Sequence, residues 1–193
     1  NIFCVLDRSG SMSTCLSDTI NGFNAFVADQ PSDTQMTTLL FNNTIQELYR
    51  CKNPRDIKPL DMVTYRPVGC TALLDVIGYT ISLASNCTTD NITIVIFTDG
   101  EENVSVTYTK DDIQKLIHQK TLLGWKFVFM GANQDAIRVA SELSIDSNSA
   151  LTFSTTCVKG AFECLTNAVN RFRSGENHGI EFSAEERRSS CPI

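Results

Sequence analysis

Uninterrupted apolar runs that end in polar residues recur along the chain. NIFCVLD (1–7), NITIVIFTDG (91–100) and WKFVFMGAN (125–133) are each apolar over several consecutive positions, and ALTFS (150–154) is a shorter run of the same kind. Strands that are apolar on both faces are typical of a parallel sheet covered by helices. These four segments therefore predict buried parallel strands.

Two further runs, TTLLFN (37–42) and IQELYR (45–50), are separated only by Asn43 and Thr44. Two short strands joined by so tight a connection indicate a hairpin, which makes them antiparallel. The second run is more polar than the first. We therefore expect residues 45–50 to form an antiparallel strand at the edge of a six-stranded sheet.

The segments between the predicted strands show the periodicity of helices. Apolar residues recur at intervals of three and four in 71–85 and most regularly in 157–173, and 109–122 begins with a capping-box pattern from Thr109 to Asp112. Alternating strands and helices predict an α/β fold. The expected architecture is a doubly wound, Rossmann-like, mostly parallel sheet with helices on both faces, in which ligands bind at the carboxyl ends of the strands.

Length and composition favour one domain. The chain has 193 residues, of which 42% are hydrophobic, enough to bury a single core. We place this domain at 1–174. Residues 175–193 have no apolar period, so we expect a C-terminal tail that is extended or loosely ordered. The chain starts at Asn1 inside an apolar run, which suggests that it is part of a longer protein.

Charge and cysteine usage narrow the function classes. The net charge of -6 argues against nucleic acid as a partner, and no apolar stretch reaches the roughly 20 residues of a membrane span. The eight cysteines form no C-x-x-C pair, which favours free thiols over a zinc site. We expect an intracellular or virion location rather than secretion, although four N-x-S/T triplets would also suit a secreted chain.

Small oxygen-bearing side chains gather where the predicted strands end. Asp7, Ser9 and Ser11 follow the first strand, Thr71 opens a helix after Gly-Cys, and Asp99 ends the strand 91–100. Hydroxyls and carboxylates without nitrogen or sulfur ligands suit a hard divalent cation, with Mg²⁺ expected and Mn²⁺ or Ca²⁺ as alternatives. The sequence therefore predicts a cation site at this edge of the sheet.

Four of these residues, all except Asp7, also have a simpler explanation. Ser9 and Ser11 could cap the helix that begins near Ser13, and Thr71 could cap the helix that it opens. Asp99 could be an ordinary turn residue before Gly100. The position of Asp75, one turn into the helix, favours a solvated or supporting role over direct ligation of a metal.

DRSGS (7–11), GCT (69–71) and TDG (98–100), in this order, resemble the metal-ion-dependent adhesion site (MIDAS) of von Willebrand factor A domains. The resemblance covers roughly residues 1–174. It implies that Ser9, Ser11 and Thr71 face the metal, and that Asp7 and Asp99 act largely through water. Longer segments, such as GWKFVFMGANQDA, are similar to compact von Willebrand A proteins of bacteria, bacteriophages and large DNA viruses.

A cation held mainly by neutral hydroxyls keeps its electrophilicity and an open coordination position. We therefore expect a non-enzymatic module for protein–protein interaction, which binds an Asp or Glu of a partner through the cation. Arg8, Cys70, Glu101 and Glu102 are expected at the rim of the partner site. The alternative is a structural assembly protein, for example a minor capsid protein of a large DNA virus, with a dispensable metal site.

Catalytic motifs are missing from the sequence. It contains no phosphate-binding G-x-x-x-x-G-K-[ST] loop and no G-x-S-x-G elbow. A haloacid-dehalogenase-type phosphatase needs a second carboxylate at position 9, where this chain has serine. No sequence pattern links Cys70 to His118 or His178, so we do not expect a catalytic Cys/His pair with Cys70 as the nucleophile.

Overall fold

A six-stranded sheet forms the centre of the protein in a computed structural model, which describes residues 1–89, 91–133 and 135–191. The strands are β1 (Ile2–Asp7), β2 (Met36–Phe41), β3 (Ile45–Lys52), β4 (Thr93–Thr98), β5 (Lys126–Ala132) and β6 (Ala150–Phe153). Their order across the sheet is β3-β2-β1-β4-β5-β6. All neighbours pair in parallel except β2 and β3. The predicted sheet, including its antiparallel edge strand, is confirmed.

Helices cover both faces of the sheet. They are α1 (Leu16–Ala28), α2 (Leu73–Ala84), α3 (Lys110–Leu122), α4 (Ala136–Glu142), α5 (Val158–Arg173) and α6 (Ala184–Ser190). The predicted capping box of α3 is present, since the side chains of Thr109 and Asp112 each accept a hydrogen bond from the other residue's backbone N–H. Among the described residues, no helix combines the length and apolarity needed to cross a membrane.

The buried strands separate two apolar layers. In β1, Phe3 and Val5 pack towards α2, α3 and α4, whereas Cys4 and Leu6 pack towards α1 and α5. Every residue of β1, β2 and β4 is buried, which explains why their sequences show no polar alternation. Apart from Thr37 and Thr38 inside β2, the polar side chains of these strands lie at the strand ends.

An aromatic cluster fixes α5 on the sheet. The Phe97 ring lies 5.0 Å from the Phe153 ring and 4.7 Å from the Phe162 ring, measured between centroids. A Cβ atom added at Gly22 of α1 would lie 2.4 Å from the Phe162 ring. The glycine therefore lets α1 approach α5 closely.

The segment after Ser174 is not the loose tail that its sequence suggested. Ile180 and Phe182 are 1% and 5% exposed and belong to the apolar layer beneath α1 and α5. Arg171 of α5 forms a salt bridge with Glu186 of α6, at 2.7 Å. The Arg187 guanidinium donates to the carbonyl oxygens of Ser147, Asn148 and Ala150. In the described part of this segment, Ile180 and Phe182 are the apolar residues that join the buried layer, too few to produce a period in the sequence.

Candidate metal centre

The carboxyl ends of the neighbouring strands β1 and β4 place Asp7 beside Thr98. The Thr98 hydroxyl donates to Asp7 Oδ2 at 2.5 Å, and the Ser9 backbone N–H donates to Asp7 Oδ1 at 2.6 Å. Asp7 is fully buried, and the hydroxyl of the buried Tyr65 donates to its carbonyl oxygen. The strand end thus holds one carboxylate in a fixed orientation.

Ser9 and Ser11 link this carboxylate to Asp99. Their hydroxyl oxygens lie 3.1 Å apart, and the Ser11 hydroxyl donates to Asp99 Oδ1 at 2.7 Å. Neither serine caps α1, which begins at Leu16, and Ser9 makes no side-chain capping bond to the 3-10 turn Gly10–Cys15. The capping explanation therefore does not describe these hydroxyls.

Thr71 completes the predicted set. It is 2% exposed, and a Cβ atom added at Gly100 would lie 2.6 Å from Thr71 Oγ1 and 3.5 Å from Asp7 Oδ2. These distances place the Thr71 hydroxyl and the Asp7 carboxylate around the same small space, which stays open because residue 100 is glycine. Thr71 is not the N-cap of α2, since Ala72 holds that position.

Backbone hydrogen bonds lock the three motif segments together. The Gly10 N–H donates to the Gly69 carbonyl at 3.0 Å, which joins the first segment to the second. The Thr71 N–H donates to Asn103 Oδ1 at 3.0 Å, and the Asn103 N–H donates to the Thr71 carbonyl at 3.2 Å. The structure therefore brings together Asp7, Ser9, Ser11, Thr71 and Asp99 at one edge.

Burial dominates the electrostatics of the two aspartates. It raises the pKa of Asp7 to about 6, although the hydrogen bonds from Thr98 and Ser9 oppose this shift. Burial also raises the pKa of Asp99, against the hydrogen bond from Ser11. Among the described residues, neither aspartate forms a salt bridge with a Lys or Arg. No salt bridge therefore offsets the cost of burying these two carboxylates.

The donor set fits a hard divalent cation. Two carboxylates and three hydroxyls provide only oxygen ligands, and the space beside Gly100 lies between the Thr71 and Asp7 oxygens. Among the described residues, no group of three or more His, Cys, Asp and Glu could hold a metal. The hydroxyls of Ser9, Ser11 and Thr71 are the further oxygen donors beside the two carboxylates.

The predicted rim residues differ in their surroundings. Cys70 and Glu101 are exposed, and Arg8 is partly buried, with a buried Nε that has no hydrogen-bond partner among the described residues. Glu102 does not extend the rim. Its carboxylate accepts hydrogen bonds from the backbone N–H groups of Leu74, Val104 and Ser105 and from the Ser105 hydroxyl. It satisfies backbone donors at the start of α2 and in the loop after Asp99, which is a structural role.

Asp75 has a similar supporting role. Its carboxylate accepts from the backbone N–H groups of Val106, Thr107 and Tyr108, at 2.9–3.0 Å. Burial opposes ionisation of Asp75, but these hydrogen bonds outweigh it and lower its pKa. Asp75 and Glu102 thus hold the loop after Asp99 against the helix after Thr71.

We predict that Glu102→Ala lowers the free energy of unfolding by about 1–3 kcal/mol, because it leaves partly buried backbone N–H groups unpaired. Glu101→Ala is the matched control on the exposed neighbouring side chain and should change stability by less than about 0.5 kcal/mol. Urea denaturation of both variants measures the difference. Equal effects of the two substitutions would contradict the structural role of Glu102.

Three residues that shape the site were not predicted to support its ligands. Thr98 is a hydroxyl at the end of an otherwise apolar run and could have been noticed for that reason. Tyr65 and Asn103 carry no local signal, since their partners Asp7 and Thr71 lie far away in the sequence. Only the folded arrangement reveals these contacts.

No protein-family model and no curated protein matches the chain. Solved structures do match its fold. The vWF domain of the type V pili tip protein Mfa5 from Porphyromonas gingivalis aligns at a TM-score of 0.67 and 11% identity, over 88% of this chain and 94% of that chain. The VWA domain of SpRpn10 aligns at a TM-score of 0.56 and 12% identity, over 79% of this chain and 86% of that chain. This chain has the von Willebrand factor A fold.

A third similar structure bears on the metal centre. Proximal thread matrix protein 1 from the mussel byssus, with a zinc-occupied MIDAS motif, aligns at a TM-score of 0.61 and 14% identity, over 84% of this chain. The chain spans 46% of the mussel protein. At these identities the von Willebrand factor A likeness concerns the fold, and the function of this chain is a separate question.

Proposed function

We propose that this chain is a protein-interaction module, in which a divalent cation at the carboxyl edge of the sheet binds an acidic side chain of a partner. One observation carries the proposal: Asp7, Ser9, Ser11, Thr71 and Asp99, from three separate segments, converge beside the space that Gly100 leaves open. Mg²⁺ is the expected cation, with Mn²⁺ or Ca²⁺ as alternatives.

The arrangement of the donors favours binding over turnover. Both oxygens of Asp7 accept hydrogen bonds from the protein, and one oxygen of Asp99 accepts from Ser11. The two carboxylates are thereby held in place, while the hydroxyls of Ser9, Ser11 and Thr71 provide neutral ligands. A cation bound in this way supplies a Lewis-acidic position that a partner carboxylate can occupy. Arg8, Cys70 and Glu101 are the proposed rim contacts.

Similar structures support an interaction role. They include a pilus tip protein, the pilus adhesin SpaC from Lactobacillus rhamnosus GG and a byssus thread matrix protein. One mussel protein structure has zinc in the corresponding motif. On this basis we propose a non-enzymatic function for this chain. The location that we propose, inside a cell or in a virion, rests instead on the cysteine usage of the sequence.

The proposal is tested in two steps, of which the first measures cation binding. Thermal melts with EDTA, Mg²⁺, Mn²⁺, Ca²⁺ and Zn²⁺ are compared for the native chain and Asp99→Ala. A ligand that binds only the folded state raises the melting midpoint with its concentration. We expect at least one cation to raise the midpoint of the native chain and to have no such effect on Asp99→Ala.

The second step tests for a position open to a carboxylate. Water-proton relaxation by protein-bound Mn²⁺ reports the water molecules on the ion. We expect N-acetyl-aspartate amide to lower this relaxation by displacing water, and the uncharged N-acetyl-asparagine amide to leave it unchanged. Cation binding without carboxylate selectivity would refute metal-bridged recognition. Absence of cation binding would leave the alternative of a structural assembly protein with a dispensable metal site.

A further inference from the structure

Two cysteines lie together at the amino edge of the sheet, opposite the candidate metal centre. Cys51 and Cys87 both line a cavity of about 440 Å³, whose wall also includes Thr37, Arg50 and Leu83. Thr37 pairs with Phe3 near the start of β1, far from Asp7 at the other end of that strand. Nothing at this cavity is used by the proposed interaction site.

An irregularity in the sheet places Cys51 in the cavity. Thr38 pairs with Tyr49 and Met36 with Lys52, so Arg50 and Cys51 together lie opposite the single residue Thr37. Such a bulge redirects a side chain that regular pairing would leave on the other face. Cys51 adopts a left-handed φ of 48°, which is uncommon for a residue other than glycine. Its backbone N–H donates to Thr37 Oγ1 at 3.1 Å, which holds the bulge in place.

The turn that ends α2 positions Cys87 beside it. The Asn86 N–H donates to the Leu83 carbonyl and the Cys87 N–H to the Ala84 carbonyl, at 3.2 and 3.0 Å. Burial raises the pKa of Cys87, and the nearby Cys51 thiol raises it further. The nearby Arg50 guanidinium acts in the opposite direction and favours the Cys87 thiolate. Cys51 and Cys87 therefore face the same cavity, one from the bulge of β3 and the other from the turn after α2.

We propose that Cys51 and Cys87 form an intramolecular disulfide when a low-molecular-weight disulfide such as oxidised glutathione is available. Cys51 is the more exposed thiol, and its thiolate therefore attacks the small disulfide first. Its thiolate bonds to one glutathione sulfur and releases one glutathione thiolate. The Cys87 thiolate then attacks the Cys51 sulfur and releases the second. The protein dithiol loses two electrons and two protons, and one glutathione disulfide becomes two glutathione molecules.

The bond would connect the end of the edge strand β3 to the end of α2. It would close a loop that contains the whole segment from Lys52 to Asn86, and so would restrict the unfolded chain. β3 is the antiparallel edge and has a neighbour on one side only. Oxidation would thus fasten the outermost strand to a helix that packs on the sheet.

The experiment incubates the full chain with oxidised and reduced glutathione at defined ratios, blocks remaining thiols and maps disulfides by mass spectrometry. Cys51→Ser and Cys87→Ser are compared with Cys157→Ser, a partly buried cysteine away from the cavity. We expect a Cys51–Cys87 cross-link in the native chain and in Cys157→Ser, and none in the other two variants. The cross-link should raise the melting midpoint by roughly 5–10 °C.

Two results would overturn the proposal. One is glutathione attached to Cys51 without a cross-link at any ratio of oxidised to reduced glutathione. This result would mean that the two sulfur atoms are too far apart to bond. The other is preferential cross-linking of Cys51 or Cys87 to a different cysteine. Because the readout needs no cation, it is independent of the test of the metal centre.

Discussion

Phe97→Ala should lower the free energy of unfolding by about 3–5 kcal/mol, the range typical for removal of a fully buried aromatic ring. Phe97 lies in β4, between β1 and β5, and is 0% exposed. Its ring stacks on Phe153 of β6 and Phe162 of α5. Because strands on both sides and a helix above surround the ring, the site has little freedom to collapse into the cavity.

Phe172→Ala provides the matched control, with the same atoms removed near the end of α5. Phe172 is only partly buried, with Lys126 Nζ 5.5 Å from its ring centroid. We expect a loss of about 1–2 kcal/mol, because less apolar area leaves water. Guanidinium denaturation gives both values. If the two substitutions cost the same, Phe97 is not the centre of the aromatic cluster.

Gly100→Ala should abolish the response of the melting midpoint to divalent cations. The added Cβ would lie 2.6 Å from Thr71 Oγ1 and 3.5 Å from Asp7 Oδ2, inside the space between the predicted ligands. The backbone of Gly100 does not have a positive φ, so its conformation is open to alanine, and the expected effect comes from the contact of the added Cβ with Thr71. A cation at a concentration of about 100 times its Kd stabilises the native chain by about 2.7 kcal/mol, and the variant should lose this gain.

Gly160→Ala separates this effect from a general effect of alanine. A Cβ atom at Gly160 of α5 meets nothing within 4 Å. This variant should retain the full cation response and gain about 0.5–1 kcal/mol of stability, since glycine inside a helix is unfavourable. Thermal melts with EDTA and with each cation, together with Mn²⁺ titration, measure both variants. A normal cation response in Gly100→Ala would exclude a cation beside Thr71.

The sequence was sufficient for much of the candidate site because its parts lie at the ends of regular elements. Asp7 and Asp99 end apolar runs, and Thr71 precedes a periodic helix. In a parallel sheet these ends meet at one edge, so convergence follows from the pattern of strands. The supporting residues could not be found in this way. Thr98 contacts Asp7 across 91 positions, and only the order of the strands makes β1 and β4 neighbours.

Glu102 shows that the sequence does not reveal which way a charged side chain in a loop is oriented. In the sequence it is one of two adjacent glutamates in a polar loop, and exposure at the rim was the natural expectation. In the fold, its carboxylate accepts from the Leu74 N–H in the first turn of α2, which lacks a partner within the helix, and from the Val104 and Ser105 N–H groups of the loop. Glu101 stays exposed. Which glutamate turns inward depends on the path of the loop.

The sequence by itself determined the α/β class, the antiparallel edge strand and the order of the oxygen-bearing segments, because burial on both faces and helical periodicity are local properties. The tertiary structure alone decided which side chains support Asp7 and Thr71. It also decided that residues 175–191 pack through Ile180 and Phe182, and that Cys51 and Cys87 line the same cavity. These features depend on contacts between residues distant in the chain, and no local pattern of hydrophobic and polar positions records them.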